Sequence, residues 1–419
     1  MALLPLLVLS VALAAKLGAA TSSLDSSATE GDVLNGRADA SPAAAAPWPM
    51  YGRGPAHGRE LLAAPALSAN ASRWVHRTGG WVYGAPCVDA DETIYFGSWD
   101  GYLYAVHPDG NLKWRLVVGA NTGLEEQLWS SCALAAVAGD SALSNQMGPT
   151  VYIGANESLV AVGQTAAGPV VRWALRTGAA VFASPTVDAD GVIYIGGLDS
   201  KMRAVRPDGS VLWTHQAVAP IYASAAVSHD AVFFSTLLDG RVVAVARADG
   251  TLRWSKAASL EPIPSSPSLS PDGRTLYVAS TDGHLRALST RDGQVRWATK
   301  VGLVDGSSPA VAKDGTAVFI GTVEPPALHA VAPAGAPLWQ VTADDMVQSS
   351  PCIGRNGTIF FSSFKSTLFA VERSGRVLWT TRMRGSSFSS PALGSRGLYV
   401  GVNGVLSGPK GGVYAFLGE

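Results

Sequence analysis

Charged residues are scarce in this 419-residue sequence, and the two signs of charge nearly cancel. Only 15% of residues are charged, and 31 Lys and Arg against 32 Asp and Glu give a formal net charge of −1. This balance excludes the basic footprint of a nucleic-acid-binding protein and the like-charge run of a solvating tail. A hydrophobic content of 47% is ample for a packed core, so a globally disordered chain is also excluded.

Long apolar segments are missing, apart from one run at the amino terminus. Residues Leu3 to Ala15 are almost wholly apolar and are followed by Gly18-Ala19-Ala20, so we interpret residues 1–20 as a signal peptide. The run is too short to span a bilayer, and no later stretch is long enough for a transmembrane segment. Residues 21–47 are rich in Ala and Ser and are interpreted as a flexible linker. These features predict a secreted or lumenal protein of the secretory pathway, periplasmic if the source is bacterial.

Sequons of the Asn-X-Ser/Thr type agree with a eukaryotic secretory route, although chance explains three matches about equally well. The candidate glycosylation sites are Asn70, Asn156 and Asn356.

Tryptophan and glycine are abundant, with 12 Trp and 46 Gly, and eight of the tryptophans recur at gaps of 40, 59, 40, 41, 43, 42 and 40 residues. A period near 40 is typical of a repeat architecture. The repeated tryptophans are Trp74, Trp114, Trp173, Trp213, Trp254, Trp297, Trp339 and Trp379. About eleven residues after each comes a small residue that opens a short strand. These residues are Ala85, Ser131, Ser184, Ser224, Ser266, Ser308, Ser350 and Ser390.

Each repeat consists of short β-type segments separated by tight turns. In residues 184–213, the segments Ser184–Val187, Val192–Gly196, Met202–Val205 and Val211–Trp213 are joined by turns of the Asp-Gly type. Four antiparallel strands in about 40 residues are typical of a propeller blade. We therefore predict an all-β fold: an eight-bladed β-propeller of four-stranded antiparallel blades over residues 71–419, preceded by a lead-in segment at 48–70.

The first and last repeats are both incomplete. The repeat from Ser390 to Phe416 has three strands and no Trp strand, whereas the strand around Trp74 precedes any complete repeat. Because the two fragments add up to one blade, we predict that the N-terminal strand pairs into the C-terminal blade and closes the ring. Closure removes the exposed edges that a linear array would leave, and we expect a monomer.

The repeat motif, with its Ser-Pro opening, three Asp-Gly turns and closing Trp, resembles the pyrroloquinoline-quinone-like propeller repeat. It is met well in residues 85–114, 184–213 and 266–297, and the segment from Trp48 to Gly58 looks like the lead-in of such propellers. The resemblance covers about residues 71–419. It implies one of two functions, because some members are quinoprotein dehydrogenases with quinone and Ca²⁺ on the propeller axis and others are cofactor-free scaffolds. This chain is closest in form to the cofactor-free outer-membrane assembly propeller.

Catalytic and metal-binding patterns are lacking. The chain has no Cys-Cys pair, which the alcohol dehydrogenases of the family commonly hold against the quinone, and no H-E-x-x-H, G-x-S-x-G or P-loop motif. Its Asp residues fall in turns, where local hydrogen bonding explains them: Asp100, Asp109, Asp199, Asp208, Asp239, Asp249, Asp282 and Asp292. We therefore predict a binding scaffold without catalysis, catalytic residues, cofactor or metal. A reduced dehydrogenase dependent on pyrroloquinoline quinone and Ca²⁺, and a glycan-binding propeller, are the alternatives.

Aromatic residues are concentrated at one position of the repeat, two residues before the small residue. The eight occupants are Tyr83, Trp129, Phe182, Tyr222, Pro264, Gly306, Gln348 and Phe388. The five aromatic ones lie on consecutive blades of a closed ring, and we call them the aromatic crescent. Such a surface suits stacking against a planar ligand, a sugar or the anchor side chain of a peptide or protein partner. The alternative is that these rings pack beneath neighbouring loops.

Two insertions interrupt the second repeat. The loop from Val118 to Ser130 carries the binding candidates Glu125, Glu126 and Gln127, and residues 139–148 lengthen the first hairpin at the opposite face. Insertions on a repeat scaffold commonly carry binding. Asp344 and Asp345 fall in another loop on the crescent's face, where charged residues are more often simply solvated.

Three cysteines are too few for a disulfide framework. Cys87 and Cys132 fall on neighbouring inner strands, but they are offset by one residue relative to the repeat and should point to opposite sides. Cys87 and Cys352 share a repeat position on blades that are not adjacent. We therefore favour free, buried thiols and leave a disulfide open.

Overall fold

The computed structural model describes residues 50–61, 65–118, 127–135, 148–404 and 411–418. These ranges contain 32 strands and one short 3-10 turn, Arg355–Gly357. They contain no helix with the length and hydrophobicity needed to cross a membrane. The strands form eight separate four-stranded antiparallel sheets, numbered here as blades 1 to 8 from the one that contains Cys87.

The strands of the first four blades are short on the inside and longer on the outside. Blade 1 comprises β2 (Cys87–Val88), β3 (Ile94–Gly97), β4 (Tyr102–Val106) and β5 (Leu112–Val117). Blade 2 comprises β6 (Ala133–Ala135), β7 (Thr150–Ala155), β8 (Ser158–Thr165) and β9 (Gly168–Arg176). Blade 3 comprises β10 (Thr186–Val187), β11 (Ile193–Gly196), β12 (Lys201–Val205) and β13 (Val211–Gln216). Blade 4 comprises β14 (Ala226–Val227), β15 (Ala231–Ser235), β16 (Arg241–Ala246) and β17 (Leu252–Ala257).

The remaining blades repeat the pattern, with the first strand of the chain completing the last blade. Blade 5 comprises β18 (Ser268–Leu269), β19 (Thr275–Ala279), β20 (His284–Ser289) and β21 (Val295–Lys300). Blade 6 comprises β22 (Ala310–Val311), β23 (Val318–Val323), β24 (Pro326–Val331) and β25 (Pro337–Thr342). Blade 7 comprises β26 (Cys352–Ile353), β27 (Ile359–Ser362), β28 (Thr367–Val371) and β29 (Val377–Arg382). Blade 8 comprises β30 (Ala392–Leu393), β31 (Gly397–Asn403), β32 (Gly411–Leu417) and β1 (Ser72–Thr78).

Strand β1 closes the ring. It lies antiparallel to β32 with seven paired residues, from Ser72 opposite Leu417 to Thr78 opposite Gly411. The predicted eight-bladed propeller and its closure by the N-terminal strand are therefore confirmed.

Each repeat Trp packs across its own blade and onto the next one. In the outer strand of every blade the Trp lies opposite an Ala of the third strand, for example Trp213 opposite Ala204. Because Ala is small, the indole reaches across it to a Tyr or Phe ring of the second strand, at a centroid distance of 5.9 Å for Tyr194. The same ring pair recurs in all eight blades at 5.7–6.0 Å.

The indole N–H of each repeat Trp then bonds to a neighbouring segment. Six of them donate at 2.7–2.9 Å to a carbonyl in the outer turn of the following blade. Trp114 donates instead to the side-chain oxygen of Gln164 in the following blade, at 3.1 Å. Trp379 has no such turn ahead of it and donates instead to the carbonyl of Leu67, at 3.2 Å. The turn beneath the indole needs glycine: Gly250 has φ +72°, and a Cβ there would lie 2.6 Å from the ring of Trp213.

A disulfide bond joins Cys87 of β2 to Cys132, with a Cα–Cα separation of 6.0 Å. The expectation of free thiols at these two positions was therefore wrong. The alternation argument failed because Cys132 precedes β6, which begins at Ala133. A residue ahead of the paired segment need not follow the in-and-out alternation of a strand. Cys352 is a free, buried thiol.

Candidate binding site at the mouth of the axial channel

Two kinds of loop meet at one face of the propeller, which we call the mouth face. One kind joins the outer strand of a blade to the inner strand of the next blade, and the other joins the second and third strands within a blade. Backbone hydrogen bonds connect the two kinds, for example from Trp99 N–H to the carbonyl of Trp81 at 2.8 Å. The mouth of the axial channel lies at the centre of this face.

The structure brings all five residues of the aromatic crescent together at this mouth. Their rings form a continuous chain in the order Phe388, Tyr83, Trp129, Phe182 and Tyr222, with successive centroid distances of 5.2, 5.3, 5.0 and 5.5 Å. All five side chains are half-buried and line one cavity. They meet because they occupy the same repeat position on five consecutive blades.

Three further aromatic residues extend the crescent, and the sequence analysis missed them. Trp99 lies 4.2 Å from Trp129, Trp81 stacks on Trp99 at 4.6 Å, and Phe364 lies 5.1 Å from Phe388, all as centroid distances. Trp99 and Phe364 lie in hairpins between second and third strands, and Trp81 lies four residues before Ala85. The sequence signal for Trp81 and Trp99 is the density of aromatic residues around the first blade, because both occupy repeat positions other than that of the crescent.

A ring of serines forms the floor of the cavity. The backbone N–H at each repeat small residue donates to the hydroxyl of the serine on the next blade, at 2.8–3.0 Å, in seven successive steps from Ala85 to Ser390. The eighth position is Ala85, which has no hydroxyl to accept a bond. The hydroxyl of Tyr51 lies 2.9 Å from the hydroxyls of both Ser308 and Ser350. Tyr51 therefore sits on the axis at the level of the serine ring.

The lead-in segment carries Tyr51 and crosses the channel behind it. Its carbonyls accept hydrogen bonds from three inner strands: Pro55 from Val227 N–H, Ala56 from Leu269 N–H, and Arg59 from Ile353 N–H, at 2.7–3.0 Å. These strands belong to blades 4, 5 and 7, which lie on different sides of the axis. The mouth is consequently a cup with a closed floor.

A buried cation lies behind Tyr51. The guanidinium carbon of Arg59 is 4.2 Å from the centroid of the Tyr51 ring, and Arg59 is 1% exposed. Burial opposes the ionisation of Tyr51, but Arg59 and the two serine hydroxyls outweigh it and lower its pKa. Burial together with Arg59 lowers the pKa of His57 to about 3, so His57 is neutral.

The side of the cup away from the crescent is polar. Gln348 lines the cavity, and its Nε2 donates to a carboxylate oxygen of Asp305 at 3.2 Å. Both residues are 8% exposed. Burial raises the pKa of Asp305 to about 6. Burial also raises the pKa of Tyr222 to about 12, and that of Tyr83 above its ordinary value, with a further contribution from the charge of Asp305 in both cases.

The cup is small, with a volume of about 80 Å³. Pockets for drug-sized ligands are several times larger, roughly 300–1,000 Å³. In this conformation it has room for the end of one side chain.

The other candidate residues lie away from the cup. Glu125, Glu126 and most of the insertion at 139–148 are outside the described residues, and Gln127 is half-buried but does not line the cavity. Asp344 accepts a hydrogen bond from the Thr367 hydroxyl, and Asp345 lies 3.8 Å from Lys365. Of the sequon residues, Asn70 and Asn356 are exposed and Asn156 is half-buried.

The acidic residues of the described ranges are dispersed among the turns of the blades. Within these ranges no group of three or more His, Cys, Asp and Glu could hold a metal ion, whereas Ca²⁺ takes six to eight oxygen ligands. Turn aspartates such as Asp109 and Asp249 instead accept hydrogen bonds from the backbone of their own turns, at 3.0 Å in both cases.

The fold and the closed ring define a propeller of the pyrroloquinoline-quinone-like class. Within that class, residues 170–324 and 326–416 match the family described as outer membrane protein assembly factor BamB, and the chain belongs to this family. No curated protein is similar enough in sequence to give a significant match.

Solved structures with the same fold include both branches of the class. BamB from Moraxella catarrhalis aligns with a TM-score of 0.60 and 16% identity, covering 84% of this chain and 100% of that one. Quinohemoprotein alcohol dehydrogenase from Comamonas testosteroni gives 0.68 and 13%, covering 89% and 81%. A europium-containing methanol dehydrogenase gives 0.68 and 14%, covering 88% and 90%. At these identities the likeness establishes the fold alone.

Proposed function

We propose that this protein is a binding scaffold that docks a protein partner on its mouth face and receives one anchor side chain of that partner in the aromatic cup. The observation that carries the proposal is the continuous chain of half-buried rings around a closed, side-chain-sized cavity. Aromatic residues are enriched where partners bind, because they supply large rigid contact areas. A cup with a floor suits an inserted anchor better than a through-channel would.

The loops beside the cup offer an apolar surface for the rest of the partner. Leu260 is 97% exposed and Val218 is 85% exposed. Val218 lies in the same mouth-face loop as Tyr222, and Leu260 in the same mouth-face loop as Pro264. The other strongly exposed aliphatic side chains lie mostly on outer strands and are less exposed. Exposed apolar side chains in neighbouring loops of one face suit contact with a macromolecular partner.

The site of action belongs to the same proposal. A disulfide such as Cys87–Cys132 persists in oxidising compartments. It therefore supports the proposed route into the secretory pathway or the periplasm, which also rests on the predicted signal peptide at residues 1–20.

Affinity capture with matched variants tests the proposal. Tyr83→Ala/Trp129→Ala removes two rings of the crescent, whereas Leu112→Ala removes an exposed aliphatic side chain from an outer strand, 46% exposed in blade 1. We expect a partner to bind the wild type and the Leu112→Ala control with similar affinity and the double variant at least ten-fold more weakly. Equal binding by all three proteins, each shown to be folded, would rule out the cup as the docking site.

A dehydrogenase role is the second candidate, favoured by the fold likeness to quinoprotein dehydrogenases. Adding pyrroloquinoline quinone and Ca²⁺ separates the two. A shift in the quinone spectrum or in the melting temperature would support the dehydrogenase, and no change in either would leave the scaffold.

A further inference from the structure

We propose that the anchor received by the cup is a cation, the ammonium or guanidinium end of a Lys or Arg side chain on the partner. This inference rests on the proposed docking function and specifies its chemistry. It follows from three features: the aromatic rings that line the cup, an unused hydrogen-bond acceptor on Gln348 in its wall, and a buried carboxyl group without a basic partner, Asp305, which is hydrogen-bonded to Gln348.

The aromatic faces supply the first attraction. A cation over the face of an aromatic ring is attracted by the ring quadrupole, and the attraction grows when water is excluded. Five rings of the crescent line the cup, so a cation held there would lie beside several aromatic rings at once. An apolar anchor would also be accepted by the rings, and the polar wall decides between the two.

Asp305 lies behind Gln348, does not itself line the cup, and differs from the other acidic positions of the mouth face. Asp199, Asp239 and Asp282 each pair with an arginine of their own blade. Within the part of the chain that the structure describes, Asp305 forms an ion pair with no basic residue, and its carboxylate accepts a hydrogen bond from Gln348. A carboxylate that is buried without a counter-charge is unfavourable, so an incoming cation would relieve an existing cost.

Gln348 provides the acceptor. Its Nε2 is used by Asp305, while its Oε1 is buried and has no hydrogen-bond partner. An ammonium or guanidinium group carries several N–H donors and no acceptor. It would satisfy this oxygen, whereas an anion would meet a carbonyl oxygen and a carboxylate.

The charge around the cup agrees with a basic partner. Several mouth-face loops carry an exposed acidic residue that has no ion pair among the described residues, for example Glu157, Glu261 and Glu324, whereas the basic residues in those described loops are Lys365 and Arg384. Arg59 packs on Tyr51 and does not line the cup. Complementary charge of this kind steers a partner and fixes its orientation.

Small probes test the inference directly. Protein labelled with 5-fluorotryptophan reports on Trp129 by fluorine NMR, with the resonance assigned from Trp129→Phe. The probes are n-butylammonium, its neutral analogue 1-butanol, and butyrate. At pH 7.5 we expect butylammonium to shift the Trp129 resonance and to bind roughly ten-fold or more tightly than butanol, with butyrate weakest.

Variants and pH then identify the carboxyl group responsible. Asp305→Asn should weaken butylammonium roughly ten-fold, whereas Asp344→Asn, an exposed acidic residue of the same face, should leave binding within about two-fold. Lowering the pH to 5 should weaken wild-type binding in the same way, because Asp305 is then protonated. Tyr83, Tyr222 and His57 do not change charge between pH 5 and 8, and Tyr51→Phe controls for Tyr51.

The possible outcomes separate this inference from the docking function. Three results would each contradict the proposal that the anchor is a cation: equal binding of butanol and butylammonium, tighter binding of butyrate, or unchanged butylammonium affinity in a folded Asp305→Asn variant. If partner capture is lost in Tyr83→Ala/Trp129→Ala but retained in Asp305→Asn, the cup is the docking site but its anchor is not a cation. Capture that is insensitive to both would reject the docking site itself.

Discussion

The repeat tryptophans derive their effect from the residues they face. An indole can lie flat across a blade only where the third strand offers a side chain as small as Ala, and Ala occupies that position in all eight blades. Each blade thus has one row of side chains across the sheet: an aromatic residue on the second strand, the Ala on the third strand and the Trp on the outer strand. Tyr194, Ala204 and Trp213 are an example. The sequence shows the Trp spacing clearly, whereas the ring that each Trp contacts emerges only from the register of the strands.

The titration of Asp305 leads to a prediction at the scale of one residue. Burial raises its pKa from an ordinary value of 3.8 to about 6, so the folded state holds this proton more tightly than the unfolded state does. The resulting stabilisation is complete below pH 4 and is lost as the pH rises through 6. At pH 7.5 the ionised group costs about 3 kcal/mol relative to a neutral one.

Asp305→Asn remains neutral and should therefore be more stable than the wild type at pH 7.5. The gain should shrink by about 2 kcal/mol at pH 4.5, where Asp305 is largely protonated in the folded protein. Urea unfolding of both proteins at the two pH values measures this difference. Asp344→Asn, which replaces an exposed acid, is the control, and an effect of Asp305→Asn that did not depend on pH would contradict the prediction.

Strands and turns were the part of the fold most open to prediction. The four segments expected in residues 184–213 correspond to β10 to β13. One end of each segment coincides with the observed strand, and the other end differs by one to three residues. Turns with a fixed Asp-Gly chemistry limit where a strand can begin and end, so the register follows locally. The aromatic crescent could be predicted for the same reason, because equivalent repeat positions become neighbours on the axis.

Features that depend on residues outside the strands could not be predicted in this way. Cys132 is one residue ahead of β6, and Trp81 and Trp99 lie in two different loops that are brought together by the folding of blade 1. The lead-in shows the same limit: its resemblance to other propellers did not reveal that Tyr51 would reach the serine ring. Asp305 was also missed, since nothing in its sequence context sets it apart from the turn aspartates.

The covalent link between blades 1 and 2 can be checked chemically. The protein purified without reductant and then denatured should react with iodoacetamide at one cysteine, Cys352, and at three after reduction. Mass spectrometry of the intact protein counts the labels, and Cys352→Ala should lower each count by one. Three reactive thiols before reduction would show that Cys87 and Cys132 are not joined.

The ring as a whole is held by the pairing of β1 with β32. Strand β1 continues into blade 1 through residues 79–86. Blade 1 therefore cannot separate from the rest of blade 8 unless the seven-residue pairing of β1 with β32 breaks. A propeller in which all four strands of blade 8 were consecutive would keep the same hydrogen bonds but could open between these two blades by losing side-chain contacts alone. Closure should therefore slow unfolding more than it alters the folded structure.

A circular permutant isolates this effect. Ser72 lies opposite Leu417, so a short turn can join Gly418 to Ser72 and make β1 the last strand of a chain that begins at Gly79. The control is the unpermuted protein of residues 72–418, which contains the same strands. We expect both to have the same circular dichroism, but the permutant to unfold faster in urea and to melt roughly 3 °C lower, equivalent to about 2 kcal/mol. Equal unfolding rates would mean that the ring does not depend on the strand that closes it.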